Sequence, residues 1–330
     1  MPIVWRAVAV AFLALIVGVC PIVVSVSAVD AAGQVLVADP GAGSVRLYSA
    51  DGSSADVFAG GLSSPSWIIV DRTGNIFVSE HDGQRISKFS PTGVPLLTFS
   101  TTYNGVTYHP GGVQVGADGT IYVADYFGGN VYRYSATGEN PAPVASGLAR
   151  ADFMAFDAAG KLYVTDPLLG VVRCFGPGGV APEDFVTGFL GLAGISFDAH
   201  GNLYVASSTS NIVQKYSSDP QSSPDECKAA VDKGTFASLE LTDSIMGMAF
   251  DAAGNLYVAN YAQGNVHRFS SAGVDLGVFA STGLVLPRDV AIVLGTAAPA
   301  VKEECKQDGW ASFDSFNNQG DCIQYLNTGK

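Results

Sequence analysis

From residue 29 to residue 294 the chain repeats one rhythm of apolar and polar positions. A short apolar run such as "PSWIIV" or "ADFMAF" is followed by a tight polar turn of the "DAAGN" kind, in which glycine supplies a positive φ. Next comes "LYVA", or its variants "IFVS" and "LYVT". Four consecutive apolar or small residues predict a strand covered on both faces. A third strand ("NVHRF", "NVYRY") and a weaker fourth ("ADVFAG") complete the unit. The turn glycines Gly33, Gly74, Gly119, Gly160, Gly201 and Gly254 are spaced by 41, 45, 41, 41 and 53 residues. A period near forty with strand content predicts radially arranged blades.

The first strands carry a finer alternation. One position reads Ile68, Val113, Met154, Ile195, Met248 and Val290, all bulky. The next reads Ile69, Gln114, Ala155, Ser196, Ala249 and Ala291, mostly small. Successive strand residues face opposite ways, so each blade has a large face and a small face that interdigitate with its neighbours. Six turn units are present, but nothing upstream supplies the first with an inner strand. "PRDVAI" at 287–292 matches the missing piece. The expectation is an all-β, six-bladed β-propeller of four-stranded antiparallel blades, in which strand 287–292 completes blade one and leaves no open edge.

These units, of which "PSWIIVDRTGNIFVSEHDGQRISKFSPTG" is typical, resemble NHL repeats. The whole resembles the six-bladed propellers of the NHL and gluconolactonase-like group, which also includes streptogramin lyases. The resemblance implies that ligands are taken at the top face, where loops before the inner strand and after the "LYVA" strand gather around the channel.

Composition adds a compartment. Residues 7–24 are almost wholly apolar after Arg6, and "VSA" at 26–28 offers a cleavage site, so 1–28 reads as a secretory signal; an uncleaved anchor is the alternative. Cleavage leaves no membrane attachment and places the chain outside the cell or in the envelope. The formal net charge of −13 excludes a phosphate-backbone partner, so nucleic acid is not expected. The expected state is a monomer. Cys174 stands where other blades carry Lys88, Arg133, Lys215 or Arg268, on a side that should point outward. Cys227 lies in the insertion that lengthens one step to 53 residues, near the same rim, and a Cys174–Cys227 disulfide is expected in an exported chain. A linker at 295–304 leads to 305–330, which resembles short Cys-paired tails of bacterial secreted proteins and implies a Cys305–Cys322 bridge.

Candidate chemistry collects at the top. The "LYVA" strands end in Asp39, Glu80, Asp125, Asp166, Ser207 and Asn260. The carboxylates and the amide are candidate ligands for Ca²⁺ or another divalent cation; their other reading is turn capping. No cofactor is required by any motif. Residues that break the repeat are His81, His109, Tyr126, Asp152, Tyr261, Arg288 and Asp289, and with Glu80 and Asp125 they make a candidate binding surface. Three functions fit: a module binding protein, peptide, glycan or small molecule at the top face; a metal-assisted hydrolase or lyase; and a structural surface protein. For catalysis the expected roles are His81 or His109 as general base, Arg288 as oxyanion partner, and a cation on Glu80 and Asp125.

Overall fold

The computed structural model describes residues 33–176, 182–217, 227, 230–240 and 244–293. The signal segment, the linker, the tail and the Cys305–Cys322 bridge lie outside the described residues. Among the described residues no helix is long and apolar enough to cross a membrane.

Six four-stranded antiparallel sheets form the ring. Blades two to six run in chain order through 65–100, 110–145, 154–186, 192–238 and 245–280. Blade one is built from both ends of the described chain: Gln34–Asp39, Ser44–Tyr48 and Ala55–Gly60 take Asp289–Val293 as their inner strand. Its register runs from Gln34 opposite Val293 to Ala38 opposite Asp289. The expected closure is therefore present, with the strand beginning two residues later than the motif. Val35, Leu36, Val37 and Ala38 are fully buried by it and by the neighbouring blades.

The alternation of large and small faces works as the pattern requires. Ala291 packs in one cluster with Ile68 of the next blade, Ala155 with Ile195, and Ala249 with Val290. Where Gln114 takes a small position, its Nε2 donates to the Met154 carbonyl at 2.7 Å, so the polar group is satisfied inside the channel wall. The turn glycines Gly74, Gly119, Gly160, Gly201 and Gly254 have φ between 77° and 81°, the left-handed region that a Cβ disfavours. Gly33, at the head of the series, is different: its place is set by Ile292 and the Val293 carbonyl, which a Cβ would approach within 2.8 and 2.9 Å.

The two long steps have separate causes. The 45-residue step holds a small hairpin, Thr102–Tyr103 with Val106–Thr107, above blade three. The 53-residue step holds Cys227, which is bonded to Cys174. The bridge is not on the outer surface, as the cation positions suggested. Cys174 and Cys227 are buried among Tyr163, Phe185 and Tyr216. In blades two and five this position lays a cation over the ring it opposes, Lys88 on Phe77 at 4.9 Å and Lys215 on Tyr204 at 5.1 Å. In blade four the sulfur replaces the cation beside Tyr163, and Cys227 packs in the same cluster.

Candidate functional site

The strand-end ring is built first from backbone needs. Loops entering the inner strands carry N–H groups with no ladder partner, and each must be satisfied. Asp39 accepts from Val285, Leu286 and Ala42. Glu80 accepts from Ser63 N at 2.7 Å, from Arg85 Nε and Nη2 at 2.8 and 2.6 Å, and from Ser87 Oγ. Asp166 accepts from Ala149, Leu168 and Leu169, and Asn260 Oδ1 from Ser244 N. Burial alone would raise the Glu80 carboxyl; the donors on it outweigh burial and hold it below the usual carboxylate range. These side chains staple the top loops. Asp125 differs: it accepts from Gly128 N in its own turn, and burial raises its carboxyl. Among the described residues, His81, Asp82 and His109 come together as a group whose ligand atoms lie within 4.8 Å of one another.

The channel mouth is closed by a layer that crosses the ring. Its inner-strand position reads Trp67, Gly112, Phe153, Gly194, Gly247 and Asp289 around the six blades. Gly112 leaves room for Trp67 and Phe153 to meet edge-on at 5.8 Å over blade three. A Cβ at Gly247 would collide with the Asp289 carboxylate. The Arg288 guanidinium lies 4.4 Å from the Trp67 ring centroid and 3.7 Å from Asp152 Oδ1. Blades one and four face each other in a six-membered ring, so this ion pair spans the axis. Beneath lies a cavity of about 350 Å³ lined by the inner strands, with Asp289 at its upper end.

Two buried acids meet there. Burial pushes Asp152 up to about 6 against the pull of Arg288 and Arg150. Burial pushes Asp289 up to about 7, although it accepts from Ile68 N and Val290 N and lies near Arg288. A carboxyl that holds its proton more tightly folded than unfolded destabilises the fold as pH rises from its unfolded value near 4 through its folded value. The melting temperature is therefore expected to fall between about pH 4 and pH 7 and to level off above that. Asp289→Asn should flatten that slope, removing a term on the order of a few kcal/mol; differential scanning fluorimetry across the range checks it.

Beside the plug, His81, His109, Tyr126 and Phe127 form an aromatic cluster. The His81 and His109 rings are 4.9 Å apart, and His81 meets Tyr126 edge-on at 5.0 Å. His81 Nδ1 lies 3.0 Å from the Pro110 carbonyl and His109 Nδ1 3.0 Å from the His81 carbonyl. Carbonyls only accept, so both rings carry their proton on Nδ1. Gln84 Nε2 donates to His109 Nε2 at 3.0 Å. Burial, reinforced by His109 and Arg288, lowers the His81 pKa, with the Pro110 bond opposing. His81 is neutral at pH 7.

Outward from this cluster the top loops of blades three to five expose a run of large apolar groups. Phe127 is 60 % exposed, Leu168 59 %, Leu169 53 % and Leu190 78 %. Arg150 sits over the Tyr126 ring at 4.7 Å and beside Phe127 at 5.9 Å. Asp166 ties the Ala149 loop to the Leu168–Leu169 turn, and Phe189 N donates to Gly170 O. The run is thus one crescent held by hydrogen bonds.

The structure brings together His81, His109, Tyr126, Asp152, Arg288 and Asp289 from the sequence reading. Tyr261 lies half-buried on the blade-six loop, held by its backbone N–H to Ser244 O, away from the aromatic cluster. Missed at the sequence level were Trp67, Phe127, Arg150 and Phe153. Trp67 and Phe153 were legible in principle, because three other blades carry glycine at their position.

The fold and site define the class: a closed six-bladed β-propeller with a plugged top channel. No protein-family profile and no curated protein matches the chain. Among solved structures it is similar to a chain of a nidogen/laminin complex, at 15 % identity and TM-score 0.66 over 80 % of this chain and 99 % of that one. It is similar to a putative gluconolactonase (17 %, TM-score 0.57, 69 % and 81 % covered). A streptogramin B lyase also matches (13 %, TM-score 0.59, 80 % and 87 %). Identities this low carry the fold, and they bear out the propeller expected from the repeat.

Proposed function

We propose that this protein is a binding module that takes a protein or peptide on the top of blades three to five. The observation carrying the reading is the exposed crescent of Phe127, Leu168, Leu169 and Leu190 beside Arg150. Single scattered apolar residues need no explanation, whereas four large ones exposed on adjoining loops do. Its loops are held by the stapled carboxylates, so little ordering cost attends docking. Aromatic and arginine anchors are the residue types that dominate interfaces. A fitting partner carries apolar side chains and a carboxylate to meet Arg150. A chain of a nidogen/laminin complex has this fold, which supports protein recognition by analogy. The Cys174–Cys227 disulfide is compatible with an extracellular setting.

Displayed peptides selected on the intact protein test the reading. Binders should lose at least tenfold in affinity on Phe127→Asp or Leu190→Asp, variants at exposed positions whose melting temperature should stay within about 2 °C of the parent. Substitution at the exposed bottom-turn residue Thr73 should leave binding unchanged. Binders insensitive to both crescent variants would overturn the assignment. A second reading, hydrolase or lyase chemistry, draws on the neutral His81 imidazole and on the lactonase and lyase neighbours. Turnover of a lactone in a panel, lost in His81→Ala, would favour it.

A further inference from the structure

We propose that His81, His109 and Asp82 form a binding site for a divalent transition-metal ion such as Zn²⁺ at the top of blades two and three. This site differs from the oxygen ring read from the sequence, and it stands whether or not the apolar crescent docks a protein.

Three observations carry it. First, each of the three residues offers one ligand atom, and these atoms lie within 4.8 Å of one another. A tetrahedral ion with bonds of about 2.0–2.2 Å sets its ligands roughly 3.4 Å apart. Contraction to that distance needs a small movement, and Asp82 is exposed and free to supply it. Second, both imidazoles are already held in the tautomer that a metal ligand needs. Nδ1–H of His81 is directed to Pro110 O and that of His109 to His81 O, the supporting contact that holds metal-bound histidines and leaves Nε2 with its lone pair. Third, the position in the fold is rigid. His81 N donates to Ser64 O and Tyr126 N to His109 O, so each histidine's loop is tied to the loop opposite it within its own blade. The rings themselves pack against Tyr126 and Phe127.

The donor set chooses the ion. Two nitrogens and one carboxylate suit Zn²⁺, Co²⁺ or Ni²⁺, whereas Ca²⁺ and Mg²⁺ favour oxygen. The Gln84 amide that now donates to His109 Nε2 at 3.0 Å is the group an incoming ion displaces. Three protein ligands leave a fourth tetrahedral position open to water or to a ligand group.

Titration of the metal-stripped full-length protein with Zn²⁺ by calorimetry, and with Co²⁺ by visible absorption, tests the site. One equivalent should bind with micromolar or tighter affinity, and the cobalt form should show the d–d bands of a low-coordinate N/O site. Asp82→Asn, His109→Gln and His81→Ala should each weaken binding by at least the roughly 10–100-fold typical of losing even a supporting partner. Asp82 is a surface residue, so its variant keeps the test valid should a histidine variant fold poorly. His200→Ala and His267→Asn, elsewhere in the ring, should bind as the parent does. Millimolar binding, or binding unchanged in the three site variants, would overturn the proposal.

Discussion

A chain ending at Thr282 is expected not to fold, whereas one ending at Val293 should melt as a single cooperative unit. The shorter chain loses Asp289–Val293, the inner strand of blade one. Five register pairs disappear, and Val35, Leu36, Val37 and Ala38, all fully buried, face water. Burying one such aliphatic side chain contributes about 1.5–3 kcal/mol. Val35, Leu36 and Val37 together with Val290 and Ile292 therefore sum to a loss comparable with the about 5–15 kcal/mol net stability of a whole domain. The strand Gln34–Asp39 would also become an unpaired sheet edge, which favours aggregation. Circular dichroism melts and sedimentation of the two truncations decide the matter; a soluble, cooperatively melting shorter chain would show that closure contributes little.

The next largest effect is expected at Cys174 and Cys227. Their separation of 53 residues gives, by loop-closure entropy, a stabilisation of about 4 kcal/mol. Cys174→Ser should therefore lower the melting temperature by about 8–16 °C in a domain of this size. Part of that cost is local, since a serine hydroxyl would stand among Tyr163, Phe185 and Tyr216 with no ladder group to satisfy it. Alanine at the same position separates the two contributions: it removes the bridge without adding a polar group. Thermal melts in the presence and absence of a reductant should place the reduced parent near the alanine variant.

The ring was legible in the sequence because its physics is periodic. Each "LYVA" strand must be covered on both faces, and five of the turns need a glycine at positive φ, so the unit declares itself repeatedly. The Ala291–Ile68 and Ala155–Ile195 contacts follow directly from the alternation of bulk. What repeats hide is the role of a recurrent polar group. Asp39, Glu80 and Asp166 recur at the same strand end, and a count of carboxylates reads equally as a cation ring or as turn staples. What the structure adds is that these carboxylates accept from loop N–H groups. The outward position expected for Cys174 rested on the cations Lys88, Arg133, Lys215 and Arg268 at matching sites. Lys88 and Lys215 lie along aromatic rings, so the position is half-covered before Cys227 bonds to it.

The plug was harder to read for a different reason. Arg288 meets Asp152 across the axis, and a contact between opposite blades leaves no periodic trace. Trp67 reads as core in "PSWIIV" until its position is set beside Gly112, Gly194 and Gly247. Phe127 sits in a turn whose other blades carry Gly41, Asp82, Leu168, Thr209 and Ala262, so only its exposure marks it.

Everything at the top face depends on Arg288 and Asp289 being delivered to the channel by a strand that joins the two ends of the ring. Hydrogen exchange of the full-length protein, read by mass spectrometry on a peptide covering Asp289–Val293, tests this most directly. The amides of this strand should be protected as strongly as those of Pro110–Val115, the inner strand of blade three, because both lie in the same kind of ladder. Complete exchange of the 289–293 peptide within seconds at pH 7, with Pro110–Val115 still protected, would contradict the closed ring and the site built on it.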